Sequence, residues 1–225
     1  MSTPLSRPAL VAALALPVVA ALTAAAPAHA ATLAEGTYNE YDQGVRHIAT
    51  LAGYFSYGLM ALAVCFGVLT TTGWAKRSVK RQTLYGGHMM LAVICLSFGC
   101  IHALAYVFQT GVHFTYVNMA VPFVAGGQSD VAWGIIGLEL GLAVAVSIWV
   151  QKLLGYRRWH IVHYLAYPSF GLSLLHVVTA SAEVQALGLM GMFVCGIAGA
   201  PILLFILRLL PATTAVAARI APQEV

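Results

Sequence analysis

Residues 81–106 read RQTLYGGHMMLAVICLSFGCIHALAY, an apolar run that carries His88 near its start and His102 fourteen residues later. Residues 159–178, WHIVHYLAYPSFGLSLLHVV, repeat the arrangement with His163 and His176, thirteen residues apart. Crossing a hydrocarbon layer takes about 20 consecutive apolar residues in a helix, and both runs reach that length. Ionisable side chains are costly inside a bilayer and mark a function or a partner where they occur. Two such pairs, on two separate runs, set the question that the rest of the chain answers.

Of the 225 residues, 60% are hydrophobic and only 8% are charged, whereas about a quarter are charged in a soluble domain. The composition predicts an all-α, polytopic membrane bundle of five or six transmembrane helices, with no separate soluble catalytic domain. Cys65, Cys95, Cys100 and Cys195 are scattered through apolar runs with no CxxC or zinc-like spacing, so they read as small core hydrophobes. The net charge of +4 does not argue for nucleic acid, because the basic residues sit in short loops between spans, where they set topology.

Residues 9–28 are apolar and Ala-rich, with Arg7 before them and Ala28-His29-Ala30 after them. Residues 1–30 therefore read either as a cleaved signal peptide or as a retained first span, and residues 31–225 as one membrane domain. Residues 31–47 are polar and acidic. Five spans are expected at about 48–73, 84–109, 131–151, 159–181 and 187–208, the fifth the weakest. With the N-terminus inside, the inner side collects Arg7, Lys76, Arg77, Lys80, Arg81, Lys152, Arg157, Arg158, Arg208 and Arg219, while Arg46 alone lies outside. That asymmetry predicts a cytoplasmic C-terminus, and the expected location is a plasma (inner) membrane of bacterial type. Glu35, Glu40, Asp42, Asp130 and Glu183 fall outside, and the loop 110–130, with Gly126-Gly127-Gln128, is the longest external one.

Both His-bearing spans then run from inside to outside. His88 and His163 share the inner level, and His102 and His176 share the outer one, about 20 Å away along the axis. Each level offers one imidazole from each helix, a layout that fits bis-histidine ligation of two stacked b-type haems. Fourteen residues at about 100° return His102 to within about 40° of the face of His88. Thirteen leave His176 about 140° from His163 on an ideal helix, and Pro168 between them is expected to kink it or shift its register. Gly86, Gly87, Gly99 and Gly171 sit beside or between these histidines, where a flat macrocycle needs close backbone approach and where helix packing also favours glycine. Lys80, Arg81, Arg157 and Arg158 are topology determinants, with a possible role against the inner haem propionates.

Other residues have plainer readings. His160, one turn before His163, reads as an interfacial histidine, with inner ligand or propionate partner as its alternatives. His47 and His113 lie at the external boundary, and His29 belongs to the processing-site sequence. Glu139 is the one acid inside a span, open to a proton or quinone role or to a structural hydrogen bond. Trp74, Trp133, Trp149 and Trp159 cluster near span ends as an interfacial belt. No Ser-His-Asp set, phosphate loop or paired carboxylate is present, so any catalysis belongs to a cofactor.

The pattern Trp159-x-x-x-His163-x-x-x-Tyr167 with His176 thirteen further on, and the run His102-Ala-Leu-Ala-Tyr106, resemble the ferric reductase-like transmembrane domain. That family includes NADPH oxidases, ferric reductases and the haem subunit of the bacterial methionine sulfoxide reductase system. The resemblance covers residues 48–208 and is specific in the two His-bearing runs. It implies haem iron ligands at His88, His102, His163 and His176, on spans three and five of six if residues 9–28 are retained. Oxidases and ferric reductases continue into an FAD/NADPH domain, and no GxGxxG-type fingerprint stands in these residues. The expected function is a di-haem cytochrome b that takes electrons from a separate flavoprotein reductase or from quinol. They would pass to an extracytoplasmic acceptor: a protein, a metal ion or oxygen. Rival readings are a quinol-linked cytochrome b anchor of a periplasmic oxidoreductase, a ferric or oxygen reductase in its own right, and a His-lined metal transporter. A transporter would need acids or sulfurs beside the histidines, and only Glu139 qualifies.

Overall fold

A computed structural model describes residues 39–72, 74–75, 78–111, 114–124 and 129–209. The 1–30 segment with His29, the inner residues Lys76, Arg77 and Arg219, and His113 and Gly126–Gln128 lie outside the described residues. Every regular element among the described residues is helical. In chain order they are α1 (Glu40–Thr72), α2 (Arg81–Ala105) with a tight 3-10 turn at Tyr106–Phe108, α3 (Tyr116–Ala120), α4 (Ser129–Leu154), α5 (Tyr156–His163), α6 (Ala166–Ala180), α7 (Ala182–Gln185) and α8 (Leu189–Leu209). Five stretches are long and apolar enough to cross a membrane, α5 and α6 counting as one. Leu153, Leu189 and Trp149 are at least 80% exposed on the bundle surface. Apolar surface of this kind, on helices hydrophobic nearly all round, suits lipid rather than water.

Two boundaries differ from the sequence expectation. α1 begins at Glu40 rather than near residue 48. Asn39 accepts the Asp42 N–H through its side-chain oxygen at 2.7 Å, capping the helix start. Glu40 and Asp42 in the first turn also suit the positive end of the helix dipole. The buried Asp42 carboxylate then accepts the backbone N–H groups of Thr110 (2.7 Å) and Gly111 (2.8 Å), clasping α1 to the chain beyond α2. The last span, expected to be the weakest, is the most apolar of the five.

α1 packs chiefly on α2, α4 on α6, and α8 closes against α1. The core that joins them is Tyr57, Ala61, Phe170, Leu174, Val184, Val194 and Ala198. Tyr57 stacks on Phe170 with ring centroids 5.9 Å apart, and its hydroxyl donates to the Val194 carbonyl at 3.1 Å. Ser56 donates to the Cys95 carbonyl at 2.8 Å and Ser169 to the Gly137 carbonyl at 2.7 Å, so short hydroxyls bridge neighbouring helices. Pro168 leaves its mark one turn earlier. Lacking an N–H, it cannot take the Tyr164 carbonyl, which accepts from Tyr167 instead at 3.1 Å, while the Leu165 N–H goes to Val162 at 3.0 Å. These are i→i−3 bonds, and they separate α5 from α6.

Candidate functional site

The bundle brings the four histidines together as two pairs, one towards each end. His88 of α2 faces His163 of α5 with ring centroids 5.9 Å apart and planes at 71°. His102 of α2 faces His176 of α6, also at 5.9 Å, with planes at 68°. The 140° deficit of a thirteen-residue spacing is reduced by the break between α5 and α6. A 3-10 stretch turns about 120° per residue rather than 100°, so four such residues add about 80°. His88–His163 lies towards the basic end with Arg81, Arg157 and Arg158, and His102–His176 towards the acidic end with Asp42 and Asp130.

Each helix neighbouring a histidine holds its ring in a defined way. Nδ1 of His102 lies 2.7 Å from the Ala49 carbonyl, Nδ1 of His88 lies 2.9 Å from the Ala63 carbonyl, and Nδ1 of His176 lies 2.7 Å from the Asp130 carbonyl. A carbonyl only accepts, so in all three rings Nδ1 carries a proton, and in the neutral tautomer that this selects the lone pair is on Nε2. The acceptor is in each case four residues before a glycine: Gly53, Gly67 and Gly134. A methyl built on Gly53 would lie 2.8 Å from Nδ1 of His102, and one on Gly134 would lie 2.9 Å from Cγ of His176. On Gly67 it would lie 3.3 Å from Cε1 of His88. The rings lie flat against backbone that only glycine leaves open. Nδ1 of His163 is the exception, buried and with no hydrogen-bond partner among the described residues. The Trp159 ring packs against that imidazole at 5.0 Å between centroids.

These residues fit a haem iron at each level. Two neutral imidazoles oppose each other, and two metal–nitrogen bonds of about 2 Å plus the half-rings come to about 6 Å between centroids. Among the described residues no three His, Cys, Asp or Glu side chains converge as a metal-ion cage would need. A two-imidazole set leaves the remaining positions to a macrocycle's own nitrogens.

The other candidates stay apart from the pairs. His160 stacks on Tyr156 at 5.5 Å and packs on Tyr164 at 4.7 Å. With Thr70, Thr71, Arg81, Tyr156 and Arg208 it lines a cavity of about 310 Å³ at the basic end. Glu139 and His47 are exposed on the outside of the bundle. Gly87 packs on Phe66, and Gly99 on Leu138 and Ser56, so both serve helix contacts, while Gly86 and Gly171 have no atom within 4 Å of a built methyl. Trp159 does more than sit at an interface, because its Nε1–H donates to the Ser147 hydroxyl at 3.1 Å.

A family model described as "Ferric reductase like transmembrane component" matches residues 52–174, more than half of the chain. The match takes in His88, His102 and His163 and stops two residues before His176. No curated protein and no solved structure matches the chain at a significant level. With its membrane-length helices, the chain is a multi-pass membrane electron-transfer component and belongs to the ferric reductase-like transmembrane family.

Proposed function

We propose that this chain is a di-haem b-type cytochrome that carries electrons across a bacterial-type plasma membrane, from a cytoplasmic flavoprotein or quinol to an extracytoplasmic acceptor. The observation that carries the reading is the pairing itself: two imidazole pairs at 5.9 Å, on two levels of one bundle. His88 and His163 hold the inner haem, and His102 and His176 the outer one. Bound there, haem supplies a one-electron ferric/ferrous couple. The Ala49, Ala63 and Asp130 carbonyls fix three of the tautomers and aim Nε2 at the iron position. The exposed apolar faces keep the levels in lipid, where water does not compete for the imidazoles. Arg81, Arg208 and His160, around the basic-end cavity, meet the acidic groups of the inner cofactor or of its donor. The lysine and arginine asymmetry supports a cytoplasmic position for that end.

Purified protein is expected to contain two haems per chain and to show a b-type reduced-minus-oxidised spectrum. His163→Ala should reduce the count to one, and His160→Ala should leave it at two. A colourless preparation made with haem supplied ends the reading. Loss of the inner haem in His160→Ala but not in His163→Ala moves the ligand one turn earlier.

A further inference from the structure

The carbonyl anchors recur at a fixed interval. On α1, Ala49 and Gly53 serve His102, and Ala63 and Gly67, fourteen residues later, serve His88. On α4, Asp130 and Gly134 serve His176. Fourteen residues beyond them stand Val144 and Ile148, and Ser147 between them is linked to His163 through Trp159. There the arrangement is altered in two ways. The open position is filled by isoleucine, and the Val144 carbonyl already accepts the Ser147 hydroxyl at 2.6 Å, which in turn accepts from the Trp159 indole at 3.1 Å. His163, against whose ring that indole packs, is the histidine whose Nδ1 has no acceptor among the described residues.

An imidazole that donates its distal N–H to a carbonyl is a more basic ligand, and a more basic ligand favours the ferric over the ferrous state. On the di-haem reading above, we infer that Ser147, Ile148 and Trp159 are positioning residues that withhold the carbonyl from His163 and so give the His88–His163 haem the higher reduction potential of the two. The difference lies in the second ring nitrogen of one ligand in four, since all four axial ligands are the same residue type.

Potentiometric optical titration of the purified holoprotein tests this. The wild type should titrate in two one-electron waves. His102→Ala and His176→Ala, which each remove the other haem, should leave the higher wave. Arg81 and Arg208 at the same end push the potential the same way, so a second arm isolates the ligand effect. Ser147→Ala with Ile148→Gly frees the Val144 carbonyl and opens the position beside it. The higher wave should then move negative by up to about tenfold in the oxidised-to-reduced ratio, about 59 mV for one electron, with the lower wave unmoved. Ser147→Ala alone should move it in the same direction by less. Two haems titrating in a single wave, survival of the lower wave in the His102 and His176 variants, or an unmoved higher wave in both Ser147 variants would overturn the inference. Absence of any haem wave in the wild type would instead remove the di-haem reading itself.

Discussion

His102 lies against α1 with no room for a methyl group between ring and backbone, and His176 lies in the same way against α4. Gly53→Ala and Gly134→Ala would each place a carbon 2.8–2.9 Å from an imidazole atom, closer than packed atoms approach. Either the ring leaves its carbonyl or the helix moves, at a cost of about 1–3 kcal/mol for such overpacking. On the proposed function, each variant should lose the outer haem and keep the inner one, read as one haem per chain instead of two. Gly67→Ala, with 3.3 Å to His88, should keep both haems. Loss of the inner haem in Gly67→Ala alone would show that these contacts do not set ligand position. The histidines themselves were legible in the sequence, because a titratable group in an apolar run needs a reason. Their anchors were not. A carbonyl acceptor has no residue signature, and the glycines that expose it are on other helices, whereas Gly86, Gly87, Gly99 and Gly171, nearest the histidines in sequence, do not face the rings. The available signal was the spacing, since Gly53 and Gly67 repeat the fourteen residues between His88 and His102.

At the scale of the helix, the interruption between α5 and α6 reconciles a thirteen-residue spacing with two histidines that both face α2. The sequence located the cause in Pro168 but not the form, which is local overwinding through the Tyr167-to-Tyr164 and Leu165-to-Val162 bonds. Pro168→Ala returns an N–H to the Tyr164 carbonyl and favours a continuous α-helix, on which the two histidines diverge by about 140°. The expected result is loss of one haem with the helix content of the protein, by circular dichroism, unchanged or slightly higher. Retention of both haems would mean that packing, not the proline, sets the twist. The early start of α1 had a different origin. Residues 40–47 are too polar to count towards a span, and their helicity comes from Asn39 and from the Asp42 clasp to Thr110 and Gly111. That contact joins residues about seventy positions apart and leaves no periodicity to read.

For the molecule as a whole, the helical class and the five membrane-length helices among the described residues followed from composition and apolar run length, since apolar length is the most direct sequence signal there is. The orientation proposed from charge is testable without any cofactor. A reporter joined after Val225 should be active in the cytoplasm, and one placed in the 110–130 loop should be active outside. The opposite pattern would exchange the donor and acceptor sides. The last helix adds a constraint of another kind. Arg208 of α8 donates to the hydroxyls of Tyr167 (2.9 Å) and Tyr164 (3.4 Å), the two tyrosines on either side of the break between α5 and α6. The segment that seats His163 opposite His88 is thus braced by a residue synthesised after all four histidines. During synthesis the outer pair has its two helices and both carbonyl anchors in place before α8 emerges. The inner pair acquires its brace only when α8 joins the bundle. On the proposed function, the level that receives electrons first is thus the one whose seat gains its brace last.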